Sequence, residues 1–261
     1  MNTIILSSSE KIQLAQGQFA TLTRTPADLS CGMPNLLGQN PALSVGMLLH
    51  AGTDDAAFQI VSRGWLPGSL HAPQAWWLKT LRPLELHQDQ EFTLHKQGVS
   101  LAWITLSDKG FCGERDDSSG PLIESLVRDH LCLCFSQGFL IPDSASRLKT
   151  LLHELALAHR FDLILTSGGT GVGPRDVTPE ATAAVLEKSL PGFERCMTAT
   201  SLSKTPHGMI SRARAGTLGT SLIVNLPGSS RAVEENLSAV LPAVKHTIEK
   251  IQGDTADCGR P

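Results

Sequence analysis

The second part of the chain contains four mainly apolar stretches of the length of β-strands, the first of which is a continuous apolar run. They occupy positions 99–106, 131–140, 161–166 and 221–226. Apolar runs without polar alternation are typical of strands that are covered on both faces, as in parallel sheets. The pattern therefore predicts four buried strands.

Helical signals lie between these runs. Positions 121–129 are predicted to form a helix opened by proline, and a helix with leucines at three- and four-residue spacing begins at Ser144. Thr178 is predicted to cap a further helix with Pro179 at its first position, and a last helix covers about 230–251. Strands that alternate with helices predict a doubly wound, mostly parallel α/β sheet.

The first 95 residues have a different pattern. Short apolar stretches at 58–61 and 91–94 predict strands, turn residues occupy 66–68, and a short helix is expected near 40–49. The adjacent pair Trp76-Trp77 is interpreted as part of a core aromatic cluster, with a binding surface as the alternative. This part is predicted to be a small, mostly β module without a recognisable chemical motif.

A length of 261 residues suggests one or two domains. The change of pattern divides the chain into an accessory module at 1–95, an α/β domain at 96–254 and a tail at 255–261. The 41% apolar content and the net charge of −3 argue against a disordered chain and against a basic nucleic-acid-binding domain. Because no apolar run approaches the roughly 18 residues of a membrane span, and the start lacks a basic signal-type segment, a cytoplasmic protein without membrane partners is expected.

None of the six cysteines belongs to a C-x-x-C pair. Cys132 and Cys134 alternate, so a strand would point both to one face. As a zinc half-site the pair lacks two further ligands at matching spacing, and buried strand cysteines are the preferred interpretation. The cysteines are Cys31, Cys112, Cys132, Cys134, Cys196 and Cys258.

Unusual residues follow four of the predicted strands. They are Ser107-Asp108, Pro142-Asp143, the glycine-rich segment 168–176, and Asn225-Leu-Pro-Gly228. Ligands of open α/β sheets bind beyond the carboxyl ends of the strands. Glycine-rich turns offer backbone N–H groups to anions, and strand-end aspartates suit Mg²⁺ together with phosphate oxygens. The sequence therefore predicts a phosphate ligand bound with Mg²⁺.

The general phosphate-binding motifs do not match the glycine-rich segment. Positions 168–173 have the P-loop glycine spacing, but Pro174 and Arg175 stand where a P-loop has Lys and Ser or Thr. The glycines also do not have the G-x-G-x-x-G spacing of dinucleotide-binding proteins. The alternative to phosphate binding is therefore that these glycines only allow a tight, closely packed turn. Arg175 either contacts a phosphate or pairs with a nearby carboxylate.

Residues 166–182 read Thr-Ser-Gly-Gly-Thr-Gly-Val-Gly-Pro-Arg-Asp-Val-Thr-Pro-Glu-Ala-Thr. This run resembles the signature of the MogA/MoaB molybdopterin-binding family, which includes the gephyrin G domain. The resemblance extends over about 99–253 and implies a MogA-like α/β fold. Supporting matches follow in the same order at 105–108, 117–121, 141–143, 191–193, 222–228 and 241–246.

The resemblance implies a molybdopterin adenylyltransferase, in which the terminal phosphate of molybdopterin attacks the α-phosphorus of ATP and pyrophosphate leaves. It implies that Asp143 and Asp176 are the catalytic carboxylates, which either hold Mg²⁺ or orient the attacking phosphate. The substrate- and nucleotide-binding residues that it implies are Ser107, Asp108, Ser119, Gly120, Ser167, Gly168, Gly169, Thr170, Gly171, Asn225, Pro227 and Gly228.

Two positions depart from the family pattern. Leu218 stands where the family often has an arginine, and Ser229-Ser230-Arg231 follow Gly228 in place of the usual proline and Lys or Asn. Arg231 is a candidate replacement for the missing cation, and Ser230 is a candidate cap of the last helix. These changes put the affinity for phosphate in question.

The resemblance also implies partners. A homotrimer and a MoeA-like molybdenum insertase that receives the product are expected. The alternative to an enzyme is a non-catalytic molybdopterin-binding or scaffold protein. A further alternative is that the first 95 residues direct the chain to a different task, such as delivery of pterin or metal to a partner.

Overall fold

The computed structural model describes residues 3–8, 10–24, 33–38, 40, 42–52, 55–66 and 72–255. The chain divides into two compact units, Met1–Gln97 and Gly98–Pro261, and each unit has its own buried apolar cluster. Cys31, Cys258, the turn positions 67–68 and the tail beyond 255 lie outside the described residues. No helix within the described ranges is both long and apolar enough to cross a membrane.

The first unit is built from β-strands, as predicted. A seven-stranded sheet has the order β1-β9-β5-β6-β7-β3-β4, and a bridge between Ser7 and Leu37 links its two end strands into a barrel-like arrangement. Its core contains the fully buried Phe58 and Phe92, whose ring centroids are 5.8 Å apart. Strands β2 and β8 form a separate pair. The strands are β1 (Thr3–Leu6), β2 (Ile12–Leu14), β3 (Phe19–Thr23), β4 (Asn35–Leu37), β5 (Leu48–His50), β6 (Ala56–Trp65), β7 (Gln74–Thr80), β8 (Leu84–Leu86) and β9 (Gln90–His95).

The helix expected near 40–49 is wrong in the part that the structure describes. Residues 42–47 form turns, and Leu48–His50 is a strand that pairs with β6 on one side and β9 on the other. Gly46 has a φ of +83°, which is incompatible with a continuing right-handed helix. The sheet pairing of Leu49, which is fully buried, outweighs the local helical spacing.

The tryptophans of this unit lie at the rim of its core. Trp76 and Trp77 are half-buried on β7, and Trp65 is 66% exposed at the end of β6. Trp76 packs on the apolar cluster from one side, while the guanidinium of Arg63 lies 5.2 Å from its ring centroid. Of the pair predicted to join a core aromatic cluster, Trp76 packs against the apolar cluster that contains Phe58 and Phe92, and Trp77 is not among the residues of that cluster.

The second unit is a mixed, mostly parallel α/β domain, as predicted. Its six-stranded sheet has the order β11-β10-β12-β15-β14-β13; the first four strands are parallel, and at the other edge β14 pairs antiparallel with β15 and β13 pairs antiparallel with β14. The strands are β10 (Val99–Leu106), β11 (Leu133–Ile141), β12 (Leu163–Ser167), β13 (Lys188–Ser189), β14 (Ala215–Leu218) and β15 (Ser221–Leu226). The helices are α1 (Asp108–Phe111), α2 (Ser119–His130), α3 (Ala145–His153), α4 (Thr178–Ala183), α5 (Pro191–Lys204) and α6 (Ser230–Ile251).

The central strands are buried on both faces, which agrees with their mainly apolar sequences. Every residue of β12 and β15 is buried. One apolar cluster joins these strands to α2, α5 and α6, while α3 packs against α4. A π-helix, Glu154–His159, continues α3, and a 3₁₀-helix, Pro206–Ile210, follows α5.

The edge position of β11 corrects the prediction for the cysteines. This strand pairs only with β10 among the described residues, and its side chains are half-buried or exposed. Cys132 lies before the strand and is exposed, while Cys134 is half-buried on it. The buried interpretation is therefore wrong for Cys132, because this residue lies before the strand, on an uncovered segment.

The last helix is capped by a different serine from the one expected. The side-chain oxygen of Ser229 accepts a hydrogen bond from the backbone N–H of Ala232 at 3.3 Å, and Ser230 is the first helical residue. The hydroxyl of Ser230 instead lies 3.0 Å from that of Ser118. Both serines are suitable caps by type, so only the backbone geometry separates them.

Candidate active site

The carboxyl ends of the four parallel strands meet along one edge of the sheet and open into a cavity of about 410 Å³. Its wall contains six charged side chains, two of them arginines and four of them aspartates. The lining residues are Thr105, Leu106, Ser107, Gly110, Arg115, Asp116, Asp117, Ser118, Ser119, Leu140, Asp143, Ser167, Gly168, Gly169, Arg175, Asp176, Gly228 and Ser229.

Two neighbouring strand ends hold each other in place. The backbone N–H of Asp108 donates to Oδ2 of Asp143 at 3.2 Å, and the backbone N–H of Asp143 donates to Oδ1 of Asp108 at 3.0 Å. This reciprocal pair fixes the turn after β10 relative to the turn after β11. The side chain of Asp108 thus acts mainly on the placement of Asp143.

Arg175 pairs with a carboxylate, which is one of the two roles considered for it. Its Nε donates to Oδ2 of Asp108 at 3.1 Å, and its terminal nitrogen donates to the same oxygen. These hydrogen bonds, and the one from Asp143, lower the pKa of Asp108 below its ordinary value. Both partners are largely exposed, so the pair is accessible to a ligand that enters the cavity.

Negative charge converges on Asp143. Burial raises the pKa of its carboxyl above the ordinary value, and the charges of Asp108 and Asp176 raise it further, against the opposing hydrogen bond from Asp108 and the charge of Arg175. A divalent cation between Asp143 and Asp176 would relieve this repulsion.

The residues fit the Mg²⁺ that the family implies. Mg²⁺ is usually held by one or two carboxylates, with phosphate oxygens and waters completing its octahedron. Asp143 and Asp176 supply such a pair in one cavity. Within the described ranges no group of three or more His, Cys, Asp or Glu side chains forms a ready metal site, so phosphate oxygens would have to complete the coordination.

The glycine-rich turn after β12 needs two glycines for its backbone. Gly168 has a φ of +101° and Gly169 a φ of +62°. A Cβ on Gly168 would lie 2.5 Å from the carbonyl oxygen of Leu106, and one on Gly169 would lie 2.6 Å from the hydroxyl of Thr178. The backbone of the turn therefore lies so close to Leu106 and Thr178 that neither glycine can be replaced by a residue with a side chain without a shift of the structure.

Thr178 holds this turn and does not cap α4. Its hydroxyl donates to the carbonyl oxygen of Gly168 at 2.8 Å, and its backbone N–H donates to that of Gly169 at 3.1 Å. The N-cap residue is Val177, whose side chain makes no capping bond. The predicted cap is wrong because the hydroxyl points back to the turn, where it fixes two carbonyl groups.

The carboxylate of Asp176 is held within its own loop. The backbone N–H of Gly173 donates to its Oδ2 at 2.7 Å, and its own backbone N–H donates to the carbonyl of Gly173 at 3.0 Å. A Cβ on Gly171 or Gly173 would lie 2.9 Å from the same carboxylate oxygen. These glycines leave room for the carboxylate beside the backbone.

Asp117 orders the start of α2 at the opposite wall. Its Oδ1 accepts from the backbone N–H groups of Ser119 and Gly120 at 3.1 and 2.9 Å, and its Oδ2 accepts from the hydroxyl of Thr105 at 2.8 Å. Ser119 lines the cavity, but Gly120 packs against the indole of Trp103, where a Cβ would lie 2.3 Å from Nε1. The glycine is thus required for packing.

Asn225 lies in the interior. It is fully buried, and its amide nitrogen donates to the hydroxyls of Thr166 and Thr182 at 2.9 and 3.0 Å. Its side-chain oxygen accepts from the backbone N–H of Arg214 at 3.1 Å. These bonds use both ends of the amide to join β12, β15 and α4, so Asn225 supports the wall from behind.

A second cavity, of about 280 Å³, lies on the other side of the glycine-rich turn. It contains three residues that the family pattern implies for binding, namely Thr170, Gly171 and Pro227, and it shares Ser229 with the first cavity. Both apolar and polar residues line it. The other lining residues are Ser201, Thr205, His207, Gly208, Ile210, Ser211, Ala232 and Glu235.

One important residue is absent from the sequence-based predictions. Arg212 donates to carbonyl oxygens at both ends of the loop that carries Asp176. The partners through which it holds this loop are backbone atoms, which no residue pattern reveals. The position of Arg212 between the turn at 206–210 and a strand gives no signal of this contact.

The two departures from the family pattern have different consequences. Leu218 is 3% exposed and pairs with Ser221 at the amino end of β15, whereas the cavity lies at the carboxyl end, about 15 Å away. The missing arginine therefore does not change the first cavity. Arg231 forms an exposed ion pair with Glu235 at 3.0 Å and does not line the first cavity.

Comparisons with known proteins agree with this architecture. Residues 102–246 match the model of a family described as a probable molybdopterin binding domain. The chain is 35% identical over 159 residues to molybdopterin adenylyltransferase from Helicobacter pylori (strain J99), which covers 60% of this chain and 90% of the relative. It is also 38% identical over 154 residues to gephyrin from Dictyostelium discoideum, which covers 56% of this chain and 21% of gephyrin.

Among solved structures, the molybdopterin biosynthesis enzyme MoaB from Thermus thermophilus superimposes with a TM-score of 0.55 at 40% identity. The match covers 60% of this chain and 98% of MoaB. The family match extends over more than half of the chain and includes every strand end that forms the first cavity. This chain therefore belongs to the molybdopterin-binding domain family of molybdenum cofactor biosynthesis.

Proposed function

We propose that the chain catalyses the Mg²⁺-dependent transfer of AMP from ATP to the terminal phosphate of molybdopterin. A phosphate oxygen of molybdopterin attacks the α-phosphorus, the bond from this phosphorus to the bridging oxygen of the β-phosphate breaks, and pyrophosphate leaves. The observation that carries the proposal is the convergence of Asp143 and Asp176 beside the glycine-rich turn in one cavity. The name of the Helicobacter pylori relative supports the same reaction.

This chemistry requires positioning and charge stabilisation more than covalent help from the protein. The turn at 168–169 lines the cavity, and the backbone N–H of Gly169 is its candidate donor to a phosphate, because that of Gly168 donates to the carbonyl oxygen of Leu226 at 3.3 Å. Asp143 and Asp176 would hold the Mg²⁺ ion, which supplies positive charge to the phosphate oxygens. Arg175, already at the cavity wall, is placed to exchange its bond to Asp108 for a phosphate oxygen.

The second cavity provides room for part of the other substrate. A two-substrate transfer needs two binding regions that meet at the reacting phosphorus, and the two cavities meet at the glycine-rich turn and Ser229. The apolar side chains of Ile210, Pro227 and Ala232 suit the face of a flat heterocycle.

The test is release of pyrophosphate from Mg-ATP in the presence of molybdopterin. We expect Asp143→Asn and Asp176→Asn each to lower kcat/KM by about a hundredfold or more, because each removes a charge from the reacting centre without changing its shape. Asp129→Asn is the matched control, since Asp129 is exposed at the end of α2. An intact protein that binds molybdopterin but releases no pyrophosphate would instead be a binding or scaffold protein.

The assembly, the partner and the location are proposals that rest on the resemblance. We propose a homotrimer in the cytoplasm that passes adenylylated molybdopterin to a MoeA-like insertase. Light scattering of the purified chain tests the subunit number. The partner is tested by measuring how fast a purified insertase takes up adenylylated molybdopterin when the product is bound to this chain and when it is free in solution.

A further inference from the structure

We infer that Arg212 is a positioning residue, which fixes the loop that carries Asp176 so that this carboxylate faces Asp143. The inference rests on the proposed function for its effect on catalysis, but the geometry of the loop is independent of that function. Arg212 does not line the first cavity, so it would act through the loop and not on the reactants.

One guanidinium spans both ends of the loop. Nε of Arg212 donates to the carbonyl oxygen of Gly171 at 2.7 Å, and Nη2 donates to that of Asp176 at 2.9 Å. The backbone N–H of Arg212 donates to the carbonyl of Thr170 at 3.0 Å, and Nη1 bonds to the carboxylate of Glu180. Four groups of one residue therefore connect the glycine-rich turn, the loop and α4.

The segment between these two carbonyl groups has little packing of its own. Val172 is 64% exposed, and Gly173, Pro174 and Arg175 are also exposed. The turn bonds between Gly173 and Asp176 fix the inner shape of the loop but do not fix its direction. Arg212 holds the loop where it leaves the glycine-rich turn and where it returns at Asp176. The other contact that orients the loop is the pair of Arg175 with Asp108, which is largely exposed on both sides.

The chemistry requires an arginine at this position. A guanidinium is planar and presents its donors in a fixed fork, so two carbonyl oxygens bound to it are held at a set separation. The ammonium group of lysine carries the same charge on a flexible stem and lacks this fork. An Arg212→Lys variant therefore keeps the charge and loses the geometry.

The experiment uses the full-length chain with Arg212→Lys and Arg212→Ala. The first measurement is limited trypsin cleavage of the Arg175–Asp176 bond, followed by mass spectrometry, which needs no substrate. Loss of one hydrogen bond from a charged donor is expected to speed this cleavage roughly tenfold, because proteolysis follows the population of the open loop. Arg214→Ala is the matched control, since Arg214 lies in the same segment and pairs with Glu194.

The second measurement is the rate of pyrophosphate release as a function of Mg²⁺. We expect Arg212→Lys to lower kcat roughly tenfold to a hundredfold and to raise the Mg²⁺ concentration for half-maximal rate, at a melting temperature close to that of Arg214→Ala. Added guanidinium should restore part of the activity of Arg212→Ala. A purely structural defect would lower the melting temperature and would not respond to guanidinium.

The outcomes separate this inference from the proposed function. If the wild-type protein releases no pyrophosphate, the proposed function fails, and the cleavage rates alone decide whether Arg212 holds the loop. If Arg212→Lys is cleaved no faster than Arg214→Ala, the inference is overturned whatever the activity. Faster cleavage with an unchanged kcat and Mg²⁺ dependence would overturn the link between loop and catalysis.

Discussion

Single residues in the turn after β12 adopt backbone conformations that glycine alone accepts at low cost. We predict that Gly168→Ala lowers the free energy of unfolding of the second unit by roughly 2 kcal/mol or more. The alanine would be strained at a positive φ, and its Cβ would lie 2.5 Å from the carbonyl oxygen of Leu106. Urea denaturation followed by helical circular dichroism measures this, since the described helices all lie in that unit.

Gly192→Ala is the control for this substitution. Gly192 lies near the start of α5, and no atom lies within 4 Å of the position of an added Cβ. Alanine should therefore stabilise the protein slightly, by about 0.5 kcal/mol, through the unfolded chain. Equal effects at both glycines would contradict the strained geometry of the turn.

The residue scale also shows how far sequence reasoning reaches. The segments that carry Asp143 and Asp176 could be placed together from the sequence because residues after parallel strands share one edge of the sheet, while the roles of these two carboxylates are implied by the family resemblance. The same resemblance implies a binding role for Asn225, whose amide is satisfied inside the fold. The support from Arg212 could not be predicted, because the acceptors through which it holds the loop are main-chain carbonyl groups that any residue provides.

At the scale of elements, β11 is joined to α2 by a charged hydrogen bond. The hydroxyl of Ser136 donates to Oε1 of Glu124 at 2.6 Å, and Arg128 donates to the same oxygen at 2.6 Å. These bonds lower the pKa of Glu124 below its ordinary value. The ionised carboxylate therefore stabilises the fold above the ordinary pKa, and this contribution is lost as the pH falls through the lowered one.

We predict that Glu124→Gln destabilises the second unit by about 1 kcal/mol at pH 7 and that the difference from wild type narrows as the pH falls below the ordinary pKa of a glutamate. Urea denaturation of both proteins over this pH range measures the effect. Glu234→Gln, an exposed position on α6, should leave stability unchanged at every pH. A difference that stayed constant or grew in acid would show that ionised Glu124 does not contribute to stability.

Elements with a strong local pattern were predicted well, and elements defined by their neighbours were not. The bounds of β10, β15 and α6 agree with the prediction because each apolar pattern ends at polar or turn-forming residues, namely Ser107, Pro227-Gly228 and Gln252-Gly253. β5 was missed, since three residues between two partner strands carry no periodicity. The exposure of β11 also depends on its edge position, which the apolar run does not encode.

At the scale of the whole molecule, the net charge of −3 conceals the local charges of the site. The first cavity brings two arginines and four aspartates together with the turn at 168–169. A polyphosphate with Mg²⁺ would meet positive potential from amide groups and the metal, even though the protein as a whole is acidic. The composition argues against a long polyanion, while the cavity is suited to a short one.

The two units have separate apolar cores, so the second unit is expected to fold without the first. The apolar cluster of the second unit consists of residues from Val99 onward, and the cluster of the first unit ends at Leu94. We expect a chain of residues 98–255 to fold alone, with Gly98 retained because a Cβ there would lie 2.3 Å from the carbonyl oxygen of Cys132. Cooperative thermal melting, together with the helical circular dichroism signal, measures this.

The same fragment decides what the first unit contributes. If the proposed reaction needs only the two cavities of the second unit, residues 98–255 should release pyrophosphate with the kcat and KM of the full chain, because all residues lining those cavities are present. A fragment that melts cooperatively but is inactive would assign the first unit an essential part in the reaction. A fragment that fails to fold would show that the second core depends on residues before 98.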